Sequence, residues 1–308
     1  MHDLIIIGGG PSGIAAGIYA ARKHLNTVLI TEEIGGQSTV SEGIENWIGT
    51  PKISGSNLAK SFREHLNTVK GNFVTLALGE RVVSLSKTSG GGFTATTKAG
   101  KEFTAKAVLI ASGAGRRKLS VKGADKFENK GVTYCASCDG PLFGGMDVAV
   151  IGGGNAGFET ALQLLAYAKS VTLIHRHQEF KADPVTVEKA SSYPNMRIIR
   201  HAETIEVMGE QFVTGLKYTD KNSAETKDLA VSGIFVEAGV IPNTGFAEGL
   251  VKLDEVKRIK TDPRNQHTSL EGVWAAGDCT DELYHQNNIA AGDGVKALED
   301  IYLWIKKQ

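Results

Sequence analysis

The chain has 308 residues, with 34 basic and 34 acidic side chains and 37 glycines. This length is enough for two domains of ordinary size. The balanced charge argues against nucleic acid or an anionic membrane surface as the main partner. No apolar run is long enough to cross a membrane and no basic segment precedes the first apolar run, so we expect a cytoplasmic protein without an export signal.

The N-terminal segment predicts a strand–helix–strand unit. A strand over 3–7 is followed by a helix over 11–24 and a second strand over 27–31. The loop between the first strand and the helix has the pattern G-x-G-x-x-G, at Gly8, Gly10 and Gly13. In a dinucleotide site, the first two glycines allow a tight turn and close approach of a pyrophosphate, and the third lets the helix pack on the strand. This loop therefore predicts a bound dinucleotide.

The segment that follows mixes one helix with several strands. We expect a helix at about 56–70 and an antiparallel β-meander over 73–104, with a turn at Gly90–Gly92. Residues 107–113, AVLIASG, predict a buried strand that ends in small residues.

The N-terminal unit is then repeated. Residues 148–174 align with residues 4–30 without a gap, and they carry a second glycine loop at Gly152, Gly154 and Gly157. A second meander is predicted at about 197–231, and a strand at 233–239. Two such loops in register indicate two bound dinucleotides far more strongly than one loop would.

The C-terminal part completes the first unit. Residues 272–278, GVWAAGD, predict a strand beside 4–7, and a final helix is expected over 287–305.

The fold class that follows is α/β. We predict two Rossmann-like, three-layer dinucleotide-binding domains, each with a small antiparallel β-meander. The second domain, at 114–241, would be inserted into a first domain made of residues 1–113 and 242–308.

The two predicted nucleotide sites differ in charge. At the equivalent position after the third glycine, the first copy has Glu32 and the second has Arg176. A carboxylate suits a ribose 2′-hydroxyl and a guanidinium suits a 2′-phosphate, so the first site predicts FAD and the second NADPH. His177 and Lys181 add possible positive charge near Arg176. The alternative is that Arg176 is a solvated residue at a strand end.

A Cys-x-x-Cys segment precedes the second glycine loop, formed by Cys135 and Cys138. Such a pair can form a small disulfide loop with reactive thiols. Structural zinc would need four ligands, and Cys279 is far along the chain, so we favour redox chemistry and predict no metal site. Asp139 follows directly, and it is either a general acid for the departing thiolate or part of an Asp-Gly turn.

These motifs together resemble a known family. GGGPSG, GGQ, ENW, ASGA, CASCDG, GGGNAG and GVWAAGDC occur in order along the whole chain. The chain is similar to the low-molecular-weight, bacterial-type thioredoxin reductases, and equally to the flavoprotein half of alkyl hydroperoxide reductases. The resemblance implies reduction of a thioredoxin-like dithiol protein by NADPH through FAD, in a homodimer.

The resemblance also implies site residues. FAD would be held by Gly8, Gly10, Pro11, Ser12, Gly13, Gly35, Gly36, Gln37, Asn46, Gly113, Gly277, Asp278 and Cys279, with Gln286 and Asn287 near the flavin ring. The nicotinamide dinucleotide would be held by Gly152, Gly154, Asn155, Ala156, Gly157 and Arg176. Cys138 would face the flavin, Cys135 would attack the protein substrate, and Asp139 would be the acid.

The chain departs from the family pattern at two places. The family usually has His-Arg-Arg with a further Arg four residues on, whereas this chain has His175-Arg176-His177 and then Lys181. Lys is a point charge and His is largely neutral at pH 7, so NADPH preference is expected to be modest. Near the flavin, His285-Gln286-Asn287 replaces the common Arg-Gln-Ala.

Several alternatives stay open on the sequence. NADH or ferredoxin could be the donor, and a peroxiredoxin or glutaredoxin-like protein could be the acceptor. The additional N-terminal dithiol domain of alkyl hydroperoxide reductase flavoproteins is not expected, since Met1 lies just before the first strand. A flavin-loaded redox sensor without turnover is the non-enzymatic alternative.

Electron transfer needs near-contact geometry of about 3–3.5 Å, first between nicotinamide and flavin and then between flavin and the dithiol. Both donors belong to the inserted domain and cannot occupy one flavin face together. We therefore predict that this domain rotates, with hinges near 113–117 and 240–244.

Overall fold

The protein is described by a computed structural model that covers residues 1–40, 44, 46–134 and 136–308, except for the side chains of Val40, Ser137 and Cys138. The chain divides into two compact units. Unit 1 comprises Met1–Gly115 and Ile241–Gln308, and unit 2 comprises Arg116–Val240. The chain thus crosses between units at 115–116 and 240–241, where the sequence predicts crossings at 113–114 and 241–242.

The first part of unit 1 alternates strands and helices before three strands follow one another. Its elements are β1 (His2–Ile7), α1 (Pro11–Arg22), β2 (Thr27–Thr31), α2 (Gly55–Val69), β3 (Val74–Leu78), β4 (Val82–Lys87), β5 (Phe93–Thr97), β6 (Glu102–Ile110) and β7 (Ala114–Arg116), which contains the first crossing.

Unit 2 repeats this order with shorter helices. Its elements are β8 (Val132–Thr133), α3 (Ala136–Asp139), β9 (Asp147–Ile151), α4 (Asn155–Leu164), β10 (Ser170–Ile174), α5 (Pro184–Ser191), β11 (Met196–Ile199), β12 (Ala202–Gly209), β13 (Val213–Asp220), β14 (Thr226–Ala230) and β15 (Gly233–Val236). The return to unit 1 adds β16 (Val240–Pro242), β17 (Val273–Ala275) and α6 (Asn287–Lys307).

A seven-stranded sheet forms the centre of unit 1, in the order β3-β2-β1-β6-β5-β4, with β17 also paired to β6. Strands β1, β2, β3, β6 and β17 are mutually parallel, and β5 runs antiparallel to its neighbours β6 and β4. Alternate residues of β1 face different layers. Leu4 and Ile6 pack among residues of α1, α2 and α6, and Ile5 and Ile7 pack among residues of β4, β5 and 247–259. The unit is therefore three-layered.

Unit 2 has the same design on a smaller scale. Its parallel sheet has the order β11-β10-β9-β15-β8, and a separate antiparallel sheet has the order β12-β13-β14. Val148 and Val150 face α4 and α5, while Ala149 faces the antiparallel sheet. This arrangement, and the likeness to solved structures given below, confirm the predicted fold class.

Three strand assignments differ from the sequence prediction. β3 and β11, predicted as the first strands of the two meanders, instead extend the parallel sheets beside β2 and β10. β17 pairs with β6, through Val273 and Val108, and not with β1 as predicted. In each case the local sequence correctly indicated a strand. Its pairing partner depends on long-range chain connections, which hydrophobic periodicity does not show.

Within the described residues, no helix combines the length and the apolar character needed to cross a membrane.

Helices α1 and α6 approach each other closely at a glycine. A Cβ added to Gly294 would overlap the backbone carbonyl oxygen of Ser12. In the part of the chain that the structure describes, one added to Gly292, on the same helix, would meet nothing within 4 Å. Gly292 is exposed. Close packing of α1 on α6 therefore requires a glycine at position 294 but not at position 292.

We expect Gly294→Ala to lower the free energy of unfolding by about 1 to 3 kcal/mol, because the helices must separate to admit the methyl group. Gly292→Ala is the matched control and should raise it by up to about 1 kcal/mol, since alanine is the better helix former. Urea denaturation of both variants measures this. Equal effects of the two substitutions would contradict the close contact.

Candidate functional site

Unit 1 contains a large cavity at the carboxyl ends of β1, β2 and β6. Its volume is about 890 Å³, within the range of small-molecule sites. In open α/β sheets, ligands bind at this edge. The lining combines three groups of segments: the first glycine loop, the ends of β2 and β6, and the start of α6. Among the lining residues are Gly8, Gly10, Pro11, Ser12, Glu32, Gly36, Gln37, Gly113, Gly277, Asp278 and Asn287.

The first glycine loop is packed against backbone atoms except at Gly10. Gly8 has φ +118°, which favours glycine, and its N–H donates to Ile30 O at 2.9 Å. A Cβ on Gly13 would overlap the carbonyl oxygen of Gly8. Among the described residues, a Cβ on Gly10 would have only Gly36 Cα nearby, at 4.0 Å. The backbone is therefore open toward the cavity at Gly10, where a bulky ligand group can approach.

Ser12 supplies a polar group that the protein itself leaves unused. The residue is 4% exposed, and among the described residues its Oγ has no hydrogen-bond partner. It lies in the first turn of α1, whose N-cap residue, Gly10, has no side chain to cap the helix. The first N–H groups of a helix attract anions. The cavity wall thus matches a ligand that carries a pyrophosphate.

Several predicted flavin residues lie outside the cavity lining. Gly13 packs on Gly8, and Gly35 has its N–H bonded to Gly9 O at 2.8 Å. Asn46 Nδ2 donates to Gln286 Oε1 at 3.0 Å, and Gln286 is the N-cap residue of α6. These residues shape the loops around the cavity.

The start of α6 is tied to the segment around Asn46 by further bonds. Asn288 Nδ2 donates to Asn46 O at 2.6 Å, and Ser38 Oγ donates to Asn287 Oδ1 at 2.9 Å. Glu45, of the ENW motif, lies outside the described residues. Amide side chains therefore fix the N-terminus of α6 at the cavity edge.

Sequence reasoning missed several lining residues, including Arg81, Ser112 and Asn243. Arg81 Nη1 lies 3.7 Å from Glu32 Oε2, beside the carboxylate predicted to bind a ribose. Ser112 Oγ donates to Asn243 O at 2.7 Å. Arg81 follows the end of β3, at the same edge of the sheet as Glu32. This signal appears only once β3 is placed in the parallel sheet, where the sequence predicted a meander strand.

The second glycine loop repeats the geometry of the first within unit 2. Gly152 N–H donates to Ile174 O at 3.0 Å, and a Cβ on Gly157 would overlap Gly152 O. A Cβ on Gly154, the N-cap residue of α4, would meet no atom of the described residues within 4 Å. Asn155, the next residue, accepts the N–H of Asp183 at 2.7 Å, which ties the start of α5 to the loop. Ala156 is exposed in the first turn of α4.

The predicted phosphate residues lie just beyond β10. Arg176, His177 and Lys181 are all exposed. Arg176 Nε donates to His177 Nε2 at 3.1 Å, so the imidazole accepts at that nitrogen. The N–H of Lys181 donates to Gly153 O at 2.9 Å, which fixes the backbone of this segment to the glycine loop.

His175 is buried beneath the second loop. Its Nε2 lies 2.9 Å from Glu179 O, and a Cβ on Gly153 would overlap its ring. Burial lowers the pKa of His175, and the nearby His177, Arg176 and Arg200 lower it further. A neutral imidazole therefore supports the loop.

The dithiol segment is described only in part. Cys135 lies outside the described residues, and of Cys138 only the backbone, in α3, is described. Asp139 ends α3, and its Oδ2 accepts a hydrogen bond from Thr133 Oγ1, at the end of β8. Cys279 is buried in unit 1 outside the cavity lining, and burial raises the pKa of its thiol to about 11.

Glu237 lies under the second glycine loop, directly after β15. A Cβ on Gly152 would overlap the backbone oxygen of Glu237. Glu237 Oε1 accepts a hydrogen bond from Thr160 Oγ1 at 2.9 Å. Arg116 Nη1 lies 3.5 Å from the same oxygen. Burial raises the pKa of Glu237, and Arg116 and Thr160 oppose that rise.

The fold and these loops define an α/β protein with one dinucleotide-type glycine loop in each of two units. The sequence matches the Pyridine nucleotide-disulphide oxidoreductase family over residues 2–294. The chain belongs to this family, which confirms the predicted enzyme class. The family implies a flavin and a pyridine nucleotide.

Individual relatives agree with this assignment. The chain is 40% identical to an alkyl hydroperoxide reductase protein of Escherichia coli (strain K12) and 39% identical to an NADH dehydrogenase of Bacillus subtilis (strain 168), in each case over 96% of this chain and 57% of the relative. It therefore spans little more than half the length of these relatives. The structure of Lactococcus lactis thioredoxin reductase matches with a TM-score of 0.91 and 31% identity, over 100% of both chains.

The raised pKa of Glu237 predicts a pH-dependent cost. The folded state binds a proton on Glu237 more tightly than the unfolded state does. The contribution of Glu237 to the free energy of unfolding therefore falls as the pH rises from the ordinary glutamate pKa, about 4.3, through the pKa of Glu237 in the folded state. Glu237→Gln should therefore gain stability relative to the wild type as the pH rises. Glu188→Gln, at an exposed position of α5, is the matched control and should lack this trend. Urea denaturation across this pH range measures the differences in free energy of unfolding. A difference between Glu237→Gln and the wild type that does not change with pH would contradict the prediction.

Proposed function

We propose that the chain is a flavoprotein disulfide reductase of the thioredoxin reductase type. FAD would occupy the cavity of unit 1, NADPH the second glycine loop, and the Cys135–Cys138 disulfide would pass electrons to a thioredoxin-like protein. The observation that carries this proposal is the repeated loop geometry: Gly10 and Gly154 are open while Gly13 and Gly157 are packed on backbone. A dithiol segment precedes one loop and a large cavity adjoins the other.

The domain roles follow from this proposal. Residues 1–113 and 242–308 would form the FAD-binding domain, and residues 114–241 the nucleotide-binding domain with the dithiol. The rotation of the inserted domain stays a prediction. The crossings at 115–116 and 240–241 fall within the hinge ranges predicted for it.

The residues of unit 1 fit a flavin dinucleotide. The helix N-terminus at Gly10 and the Ser12 hydroxyl, unpartnered among the described residues, suit its pyrophosphate. Glu32 suits its ribose, and Asp278 and Asn287 line the same cavity. A bound flavin supplies a two-electron relay between a hydride donor and a disulfide. The protein would supply binding, orientation and local charge.

The second loop supports a pyridine nucleotide with a moderate preference for NADPH. Arg176 and Lys181 provide permanent positive charge, while His177 accepts a hydrogen bond from Arg176. NADH is the alternative donor, since one relative is an NADH dehydrogenase. Reduced ferredoxin is the other alternative that the sequence leaves open.

Asp139 is proposed as the acid that returns a proton to a departing thiolate. Its carboxylate is held by Thr133 at the end of β8, so its position is fixed by the parallel sheet of unit 2. A general acid must be held within hydrogen-bond reach of the group that it protonates.

A peroxiredoxin-like acceptor is the second candidate, and the likeness to the alkyl hydroperoxide reductase protein favours it. In either case we propose a homodimer in the cytoplasm that acts on a protein disulfide, without a nucleic acid or membrane partner.

Ser12→Ala tests the flavin site. Loss of a buried hydroxyl that has no hydrogen-bond partner in the described part of the chain should leave the free energy of unfolding of the apoprotein unchanged or raise it by up to about 1 kcal/mol. FAD affinity should fall by about tenfold, because the cofactor loses one hydrogen bond. Fluorescence titration and urea denaturation measure the two effects. A fall in apoprotein stability with unchanged FAD affinity would contradict this role.

The electron path is tested by supplying the FAD-loaded protein with NADPH, NADH or reduced ferredoxin and a panel of thioredoxin-like, glutaredoxin-like and peroxiredoxin acceptors. In Cys135→Ser and Cys138→Ser, the donor should still bleach the flavin, while acceptor reduction should fall by at least about a thousandfold, since neither variant can form the disulfide. Stopped-flow absorbance separates the two steps.

Two outcomes would change the proposal. Acceptor reduction that survives both substitutions would refute a path through this dithiol. Intact partner binding by Cys138→Ser without loss of biological output would favour the redox sensor.

A further inference from the structure

His285 links the loop that follows β17 to the wall of the unit 1 cavity. Its Nδ1 lies 3.4 Å from Asp278 Oδ1, and its Nε2 lies 2.9 Å from the carbonyl oxygen of Glu282. Asp278 lines the cavity, and the residue after His285, Gln286, is the N-cap of α6. The imidazole therefore joins a carboxylate of the cavity wall to the start of the helix beside it.

Both ring nitrogens of His285 face oxygen acceptors. A neutral imidazole carries one N–H and can satisfy only one of them, whereas an imidazolium donates to both. The hydrogen bond to Asp278 raises the pKa of His285, and burial partly opposes that rise. The geometry and the local charge therefore favour the same protonated state.

The surroundings of His285 carry more negative than positive charge. Asp278 lies in the loop, Glu282 three residues before His285, and Asp293 on α6. Arg258 is the opposing cation, but its Nε is engaged by Asp254 Oδ2 at 2.7 Å. Lys296 Nζ lies 3.4 Å from Asp293 Oδ1. A charged His285 thus directly offsets the charge of Asp278.

This charge matters because the wall of an anion-binding cavity contains a carboxylate. A neutral His285 would leave Asp278 uncompensated, and Asp278 would then repel an anionic ligand. The reduced form of a flavin carries more negative charge than the oxidised form, so a nearby cation favours reduction. A histidine can supply that cation at one pH and withdraw it at another.

We propose that His285 is a positioning residue that places a proton-dependent positive charge beside Asp278, a residue of the flavin cavity wall, where it sets how tightly flavin is held and how readily flavin is reduced. The proposal rests on the proposed flavin site in unit 1. The charge acts through Asp278, and no electron passes through the imidazole.

The test compares the wild type with His285→Arg, a permanent cation, and His285→Gln, a neutral donor. The midpoint potential of the bound flavin and the FAD affinity of the apoprotein are measured from about pH 5.5 to about pH 9.5, on both sides of the ordinary histidine range. At low pH the wild type should match His285→Arg. At high pH it should match His285→Gln, with FAD held about tenfold more weakly than at low pH.

The control is His65→Gln, an exposed histidine on α2, which should follow the wild type throughout. Equal pH profiles for the wild type and His285→Arg, or a His285→Gln profile that still converges on the wild type at low pH, would overturn the proposal. A wild type that binds no flavin would overturn both this proposal and the flavin site, whereas pH-independent flavin binding would overturn this proposal alone.

Discussion

The structure depends on close contacts between backbone segments that are possible only because the residue at each contact is a glycine, which has no Cβ. Gly13 rests on the carbonyl oxygen of Gly8, Gly157 on that of Gly152, and Gly294 on that of Ser12. Each contact brings a helix against the end of a strand or against another helix, closer than any side chain allows. In contrast, a Cβ on Gly10 or Gly154 would overlap no atom of the described residues.

The same constraint explains why the chemistry collects at one edge of each sheet. Parallel strands end together, so residues distant in sequence, such as Glu32 and Asp278, line one cavity. In unit 2 the glycine loop, Arg176 and Glu237 follow neighbouring parallel strands in the same way. Charge then distinguishes the two sites, with acidic Glu32 in one and basic Arg176 in the other.

The two glycine loops and the strands beside them could be predicted from the sequence, because glycine spacing and strand periodicity are local features. The segment from β1 to β2 and the repeat over 148–174 were readable from about thirty residues each. The position of β17 beside β6 was not, since it depends on a pairing between distant segments. Arg81 and Asn243 reach the cavity only through the tertiary fold, and Gly294 looks like any helical glycine until Ser12 is placed against it.

The central claim is that a flavin in unit 1 exchanges electrons with the sulfurs at positions 135 and 138. Anaerobic reductive titration of the FAD-loaded chain, with thiol labelling at each point, tests it most directly. The account predicts uptake of two electron pairs per chain, one by the flavin and one by the disulfide, with labels appearing at Cys135 and Cys138. Uptake of a single pair, with both cysteines unchanged in their reactivity, would contradict it.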